Sequence, residues 1–209
     1  MEIGTLFFLL DKIGIIAFAF GGVSDGVGKK LDLLGLLIAG VISAVGGGII
    51  RDLLLARMPY AISNIDYLTF AFVASFIAIF IYYFRISIPY KIVIFADTIG
   101  LGAFAGTGIV ISLTNHLSIF HTILFAATTA VGGGILKDIL INEVPFVMKR
   151  QIYATAAIIG GTIAHLSYFL GVEVFYAAFV GISITILVRF YSINRKLNLP
   201  VIEVKMVKN

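Results

Sequence analysis

Two segments of the chain combine an unshielded backbone with fixed charge. They read Gly46-Gly47-Gly48-Ile49-Ile50-Arg51-Asp52 and Gly132-Gly133-Gly134-Ile135-Leu136-Lys137-Asp138, each inside an otherwise apolar stretch. Glycine costs about 1 kcal/mol against alanine in a helix interior. Three in succession remove the side chains that cover the backbone and permit a bend or local unwinding. In hydrocarbon a freed carbonyl must meet a partner or a water-filled cavity. Carbonyl oxygens facing water are good ligands for a desolvated monovalent cation. Close helix packing through small residues is the competing explanation. Two triplets at matching places, each followed by a basic–acidic pair, favour an ion pathway.

A charge at the bilayer centre costs about 2.5–3.5 kcal/mol. Arg51, Asp52, Lys137 and Asp138 are therefore expected to face the bundle interior or water. As polar pore walls they would leave the basic residue to tune or gate a cation site. The alternative places each pair near the interface, where opposite charges neutralise neighbours. Ser43 and Thr129 precede the glycines by three residues, and their hydroxyls are candidates to line the path. Bonding to the preceding turn of their own helices is an equally simple role for them. His116 and His121 lack a metal-binding pattern, and His165 stands alone in its stretch. No Gly-x-Ser-x-Gly, His-Glu-x-x-His or phosphate-loop motif occurs. The expectation is no enzyme, no organic cofactor and no metal beyond a permeating potassium or sodium ion.

The elements that must hold these residues follow from composition. Of 209 residues, 60% are hydrophobic and 12% charged, against about 25% charged in soluble domains. Lipid is the solvent such a surface requires. There is no cysteine, and the net charge of +4 is too modest to read as a nucleic-acid footprint. The N-terminus lacks the basic start and cleavage site of a signal peptide, so the first stretch is expected to remain as a span. Seven apolar stretches cover residues 4–22, 31–55, 66–84, 92–113, 117–141, 152–170 and 172–190, each near the ~20 residues of a spanning helix. Asp25, Gly26, Gly28, Lys29 and Lys30 are read as the break between the first two.

The glycine triplet recurs at an offset of 86 (132 less 46), and so does much else. The same offset carries Asp11 to Asp97, Gly14 to Gly100, Phe18 to Phe104, Gly22 to Gly108, Pro59 to Pro145, Tyr67 to Tyr153 and Thr69 to Thr155. Each repeat holds three spans. Three is odd, so the second copy enters from the opposite face, giving an inverted pair about an axis in the membrane plane. The predicted fold is all-α: a single membrane domain over 1–192, with repeat one at 4–84, repeat two at 92–170, a seventh helix at 172–190 and a short basic tail at 193–209. Lys29, Lys30, Arg85, Lys91, Lys149, Arg150, Arg189, Arg195 and Lys196 gather on one side; the other holds chiefly Lys12 and Arg57. By the positive-inside rule the first side is cytoplasmic, with the N-terminus outside and the C-terminus inside. Depth along the helices pairs Asp11 with Arg51 and Asp97 with Lys137. Asp52 and Asp138 adjoin the basic residues in sequence but point about 100° away around a regular helix.

With these motifs, residues 1 to about 192 resemble the trimeric intracellular cation (TRIC) channels in their prokaryotic form, related to a bacterial membrane domain labelled a glycine transporter. The residues that carry the resemblance are Gly46, Gly47, Gly48, Arg51, Asp52 and Pro59, with Gly132, Gly133, Gly134, Lys137, Asp138 and Pro145. It implies a homotrimer embedded in lipid, with a potassium-permeable pore in each subunit between glycine-kinked second and fifth spans. The tail is short, which fits a prokaryotic cell membrane. A secondary transporter of a small substrate such as glycine is the nearest rival, and a non-conducting scaffold or lipid-binding protein the next.

Overall fold

The computed structural model describes residues 3–86, 88–149 and 152–200; Arg150, the side chain of Lys149 and the tail from residue 201 lie outside the described residues. The described residues form nine α-helices and no strand: α1 (Ile3–Gly28), α2 (Leu33–Leu54), α3 (Tyr60–Ser63), α4 (Ile65–Tyr83), α5 (Tyr90–Thr114), α6 (Ile119–Leu140), α7 (Phe146–Lys149), α8 (Ala154–Phe169) and α9 (Val174–Arg195). Six of these (α1, α2, α4, α5, α6 and α9) are long and apolar enough to cross a membrane, and α8 is a shorter apolar helix.

Local chemistry sets the helix ends. Asp32 caps α2 by accepting the Gly35 N–H at 2.7 Å, and Asn64 caps α4 through the Asp66 N–H. Such caps satisfy amide donors that a helix start leaves open. At the other end, Lys30, Ala56 and Arg85 adopt φ of 58°, 52° and 54°, and their counterparts 86 residues on, His116, Asn142 and Gly171, adopt 51°, 56° and 91°. In each case the next amide reaches back to a carbonyl of the last turn, as Arg57 N–H does to Asp52 O and Glu143 N–H to Asp138 O. This left-handed closure satisfies orphan carbonyls, and the repeat carries it at all three helix ends.

The packing is reciprocal as well. The Phe18 and Phe104 rings, 86 positions apart, meet edge to face at 5.0 Å. Gly14 lies against Phe104 and Gly100 against Phe18, with room for no Cβ: it would stand 2.5 and 2.7 Å from a ring carbon. Around this contact α1 packs on α2, α4 and α5, while α5 packs on α6, α8 and α9. Every residue of α5 from Gly100 to Leu113 is buried, as expected of a helix that is small and apolar all round.

Most boundaries fall within about two residues of the sequence reading, and two helix ends differ by more. α1 runs on to Gly28 rather than stopping at residue 22, and α9 reaches Arg195 rather than 190. Of the residues read as a break, Asp25, Gly26 and Gly28 lie inside α1, and Lys29 and Lys30 form the turn that follows it. Asp25 pairs with Lys137, and a Cβ on Gly26 would stand 2.8 Å from a Leu36 side-chain carbon.

Candidate ion pathway

The glycine triplets do not break their helices: α2 and α6 are continuous through Gly46–Gly48 and Gly132–Gly134. The expected local unwinding is corrected: the contact the two helices make accounts for the glycines instead. A Cβ on Gly47 would lie 2.2 Å from the Thr129 carbonyl oxygen, and one on Gly133 would lie 2.2 Å from that of Ser43. A Cβ on Gly46 would lie 3.1 Å from the Gly133 Cα, and one on Gly132 would lie 3.2 Å from the Gly47 Cα. The first two glycines of each triplet thus let α2 and α6 cross backbone to backbone. The third does something else. A Cβ on Gly134 would meet nothing within 4 Å, and one on Gly48 only the Arg51 guanidinium at 3.6 Å. These two glycines open onto cavities.

There are two such cavities, one beside each triplet, and their walls correspond under the 86-residue offset. The smaller, about 20 Å³, is lined by Asp11, Val45, Gly48, Arg51, Asp52, Tyr60, Tyr67 and Phe104 among others. The larger, about 240 Å³, is lined by the counterparts Asp97, Val131, Gly134, Lys137, Asp138, Phe146, Tyr153 and Phe18. Its walls add Ser43, Asp25, Tyr90 and Arg189, which have no equivalents in the smaller one.

The charges form two related networks. Arg51 donates from Nε to Asp52 Oδ1 at 2.9 Å and from Nη1 to Thr107 Oγ1 at 3.3 Å. Asp52 also accepts the Tyr60 backbone N–H at 2.8 Å and Arg57 Nη2 at 2.7 Å. In the second network Lys137 Nζ contacts Asp138 Oδ1 at 2.7 Å and pairs with Asp25, while Asp138 accepts the Phe146 N–H at 2.7 Å. Each aspartate therefore ties the end of a long helix to the start of the short helix after Pro59 or Pro145. Bonds of this kind to a buried carboxylate are worth more than neutral ones.

The expected Asp11–Arg51 and Asp97–Lys137 ion pairs are not formed. Arg51 and Lys137 take the adjacent aspartates instead: their long stems fold back, and the backbone amides of Tyr60 and Phe146 draw those carboxylates toward the same cavity. Asp97 accepts the Tyr153 hydroxyl at 2.8 Å and lies 4.0 Å from Arg189 Nη2. Asp11 is buried in the smaller cavity with Tyr67 and Arg51.

Arg189 was counted with the cytoplasmic interface charges, yet it is 2% exposed and stacks over Tyr153 at 4.7 Å and Phe146 at 5.7 Å. Ser43 lines the larger cavity, whereas the Thr129 hydroxyl is buried at the crossing without a hydrogen-bond partner. Asp25, Arg57, Thr107 and Arg189 are the wall and network residues that sequence reasoning did not assign. The Phe18–Phe104 and Tyr67–Tyr153 correspondences carried a signal for both cavities.

A duplicated three-helix unit, with buried charge around paired cavities, defines a polytopic α-helical membrane protein. A family model described as glycine transporter matches the chain twice, at residues 8–83 and 94–169. The UPF0126 inner membrane protein YadS of Escherichia coli (strain K12) is 33% identical over 93% of this chain and 95% of its own length. A solved TRIC cation channel is 39% identical, with a TM-score of 0.86 over 95% of this chain and 98% of the other. The TRIC orthologue from Rhodobacter sphaeroides is 31% identical, with a TM-score of 0.83 over 92% and 100%. The chain belongs to the TRIC family, in its prokaryotic form.

Proposed function

We propose that the protein is a cation channel in which potassium, and sodium with it, passes by electrodiffusion between the two cavities through the α2–α6 crossing of each subunit. The observation that carries this reading is the pairing of the cavities. The same carboxylate, tyrosine and basic positions line both, and they flank a crossing where glycine backbone meets the Ser43 and Thr129 carbonyls, with the Ile50 and Leu136 side chains beside it. The Thr129 hydroxyl there has no protein partner, and a buried polar atom left so is costly until something polar reaches it. The solved relatives named above are cation channels. No reaction and no organic cofactor take part.

In this reading seven helices span the membrane as two inverted triplets, α1–α2–α4 and α5–α6–α8, with α9 unpaired. α8 has 16 residues, about 24 Å at 1.5 Å each, and spans because α5, α6 and α9 flank it. The single membrane domain covers 1–192, with the N-terminus outside and the C-terminus cytoplasmic. The protein assembles as a homotrimer with one pore per subunit. The larger cavity then faces the cytoplasm and the smaller is the closed outer mouth.

One observation favours the rival reading, a secondary transporter of a small substrate such as glycine. A 240 Å³ cavity beside a 20 Å³ one is what a protein open to one side at a time would show. Planar-bilayer recording of the purified protein in asymmetric potassium chloride separates the two. Unitary currents reversing near the potassium potential support the channel. Substrate-dependent uptake into proteoliposomes without unitary currents supports the transporter, and silence in both supports a scaffold.

A further inference from the structure

We infer that Lys12 is the anchor of a phospholipid site on the membrane face of α1 and α4, binding the headgroup phosphate. Lys12 Nζ stands over three rings, 4.1 Å from the Phe70 centroid, 4.7 Å from Tyr67 and 5.1 Å from Phe8. Ring faces attract the charge but leave the three N–H donors of an ammonium without oxygen acceptors. Among the described residues Lys12 makes no ion pair and no hydrogen bond. The neighbouring Asp11 carboxylate lines the small cavity instead.

The surroundings face lipid. Phe8 and Ile16, one helical turn to either side of Lys12, are 46% and 52% exposed. Depth fits a headgroup. Phe70 lies five residues into α4, on the order of 8 Å from the helix start. A lysine ammonium that snorkels along its stem from there reaches phosphate level.

The duplication shows why this face needs an occupant. In repeat two a cation also covers the corresponding tyrosine, Arg189 over Tyr153 at 4.7 Å, but it comes from α9, which packs on α5 and α8. Repeat one has no corresponding helix over α1 and α4, and it supplies its own cation. What remains to be supplied is apolar cover with an anion at its end, the chemistry of a phospholipid. Tyr67 is also a wall of the small cavity, so the site lies one ring away from the buried charges.

Native mass spectrometry and thermal melting of delipidated protein test this, using dioleoylphosphatidylglycerol, dioleoylglycerol and inorganic phosphate as probes. The expected result is one more retained phosphatidylglycerol per chain in wild type and Lys12→Arg than in Lys12→Met. A rise in melting temperature with phosphatidylglycerol should vanish in Lys12→Met. Equal binding and equal melting shifts in wild type and Lys12→Met overturn the site. So does dioleoylglycerol matching phosphatidylglycerol on wild type, a comparison that needs no variant to fold. Stabilisation by inorganic phosphate alone would make it a soluble-anion site. Loss of oligomer in Lys12→Met, seen in the same mass spectra, would assign the charge to contact with a second copy. Either result overturns the lipid.

Discussion

Gly133 and Gly134 are neighbours in a triplet but face different surroundings, and substitution should separate them. A methyl group on Gly133 meets the Ser43 carbonyl at 2.2 Å, so α2 and α6 must move apart; on Gly134 it meets nothing within 4 Å. Overpacking of this kind typically costs about 1–3 kcal/mol, while alanine gains up to ~1 kcal/mol in helix propensity. Gly133→Ala should therefore lower the melting temperature in detergent, and Gly134→Ala should hold or raise it. Gly134→Leu should keep the fold and reduce conductance by filling the larger cavity. Equal melting of the two alanine variants would contradict the assignment. The charges allow a second test. Lys137 pairs with Asp25 and Asp138, and breaking a buried pair typically costs ~3–5 kcal/mol. Asp25 is more exposed than the other partner, so its share should be smaller, on the order of 1 kcal/mol. A double-mutant cycle between Asp25→Asn and Lys137→Met should give a measurable coupling in thermal stability. The corresponding Asp97→Asn and Lys137→Met cycle should give a smaller one.

At the level of helices, much was legible because the signals are local. Apolar runs bounded by proline and charge placed the cores of α1, α2, α4, α5, α6, α8 and α9 close to where they lie. The offset of 86 located both halves of the site. What could not be read was set by tertiary partners. Asp25 and Gly26 look like a turn until Lys137 and the Leu36 side chain are brought to them. Gly46–Gly48 looks like a weak helix until α6 presses on it. Arg189 looks like an interface charge because nothing in α9 announces that Tyr153 and Phe146 lie beneath it. The helix ends offer a prediction of their own. Ala56 and Asn142 hold corresponding left-handed turns with φ of 52° and 56°, a conformation that costs a non-glycine residue about 1–2 kcal/mol. Ala56→Gly relieves this, less glycine's extra entropy in the unfolded chain. A net stabilisation of ~0.5–1 kcal/mol is expected, read as a rise in melting temperature, with a smaller gain for Asn142→Gly because asparagine tolerates the turn better.

For the whole molecule, the proposed function raises the question whether ions pass through each subunit or along an axis shared by three. The two cavities and the crossing between them lie within one chain: both are walled by its own α1, α2 and α5, and the larger by α6 as well. A pathway joining them would run within one chain, as the proposed function has it. Three copies joined by linkers as one polypeptide test this with a graded block. Gly134→Leu is the suitable lesion because it fills a cavity without pressing on a neighbouring helix, so assembly should survive it. If each subunit conducts alone, one altered copy leaves about two thirds of the wild-type current, two leave about one third and three leave little. The fractions follow simply from independent pathways in parallel. A shared central pore would lose most of its current to a single altered copy or would ignore the lesion altogether, since Gly134 faces a cavity inside its own chain. Melting temperatures of the linked proteins must agree to within a few degrees for the currents to be compared, which the open space at Gly134 makes the expected result.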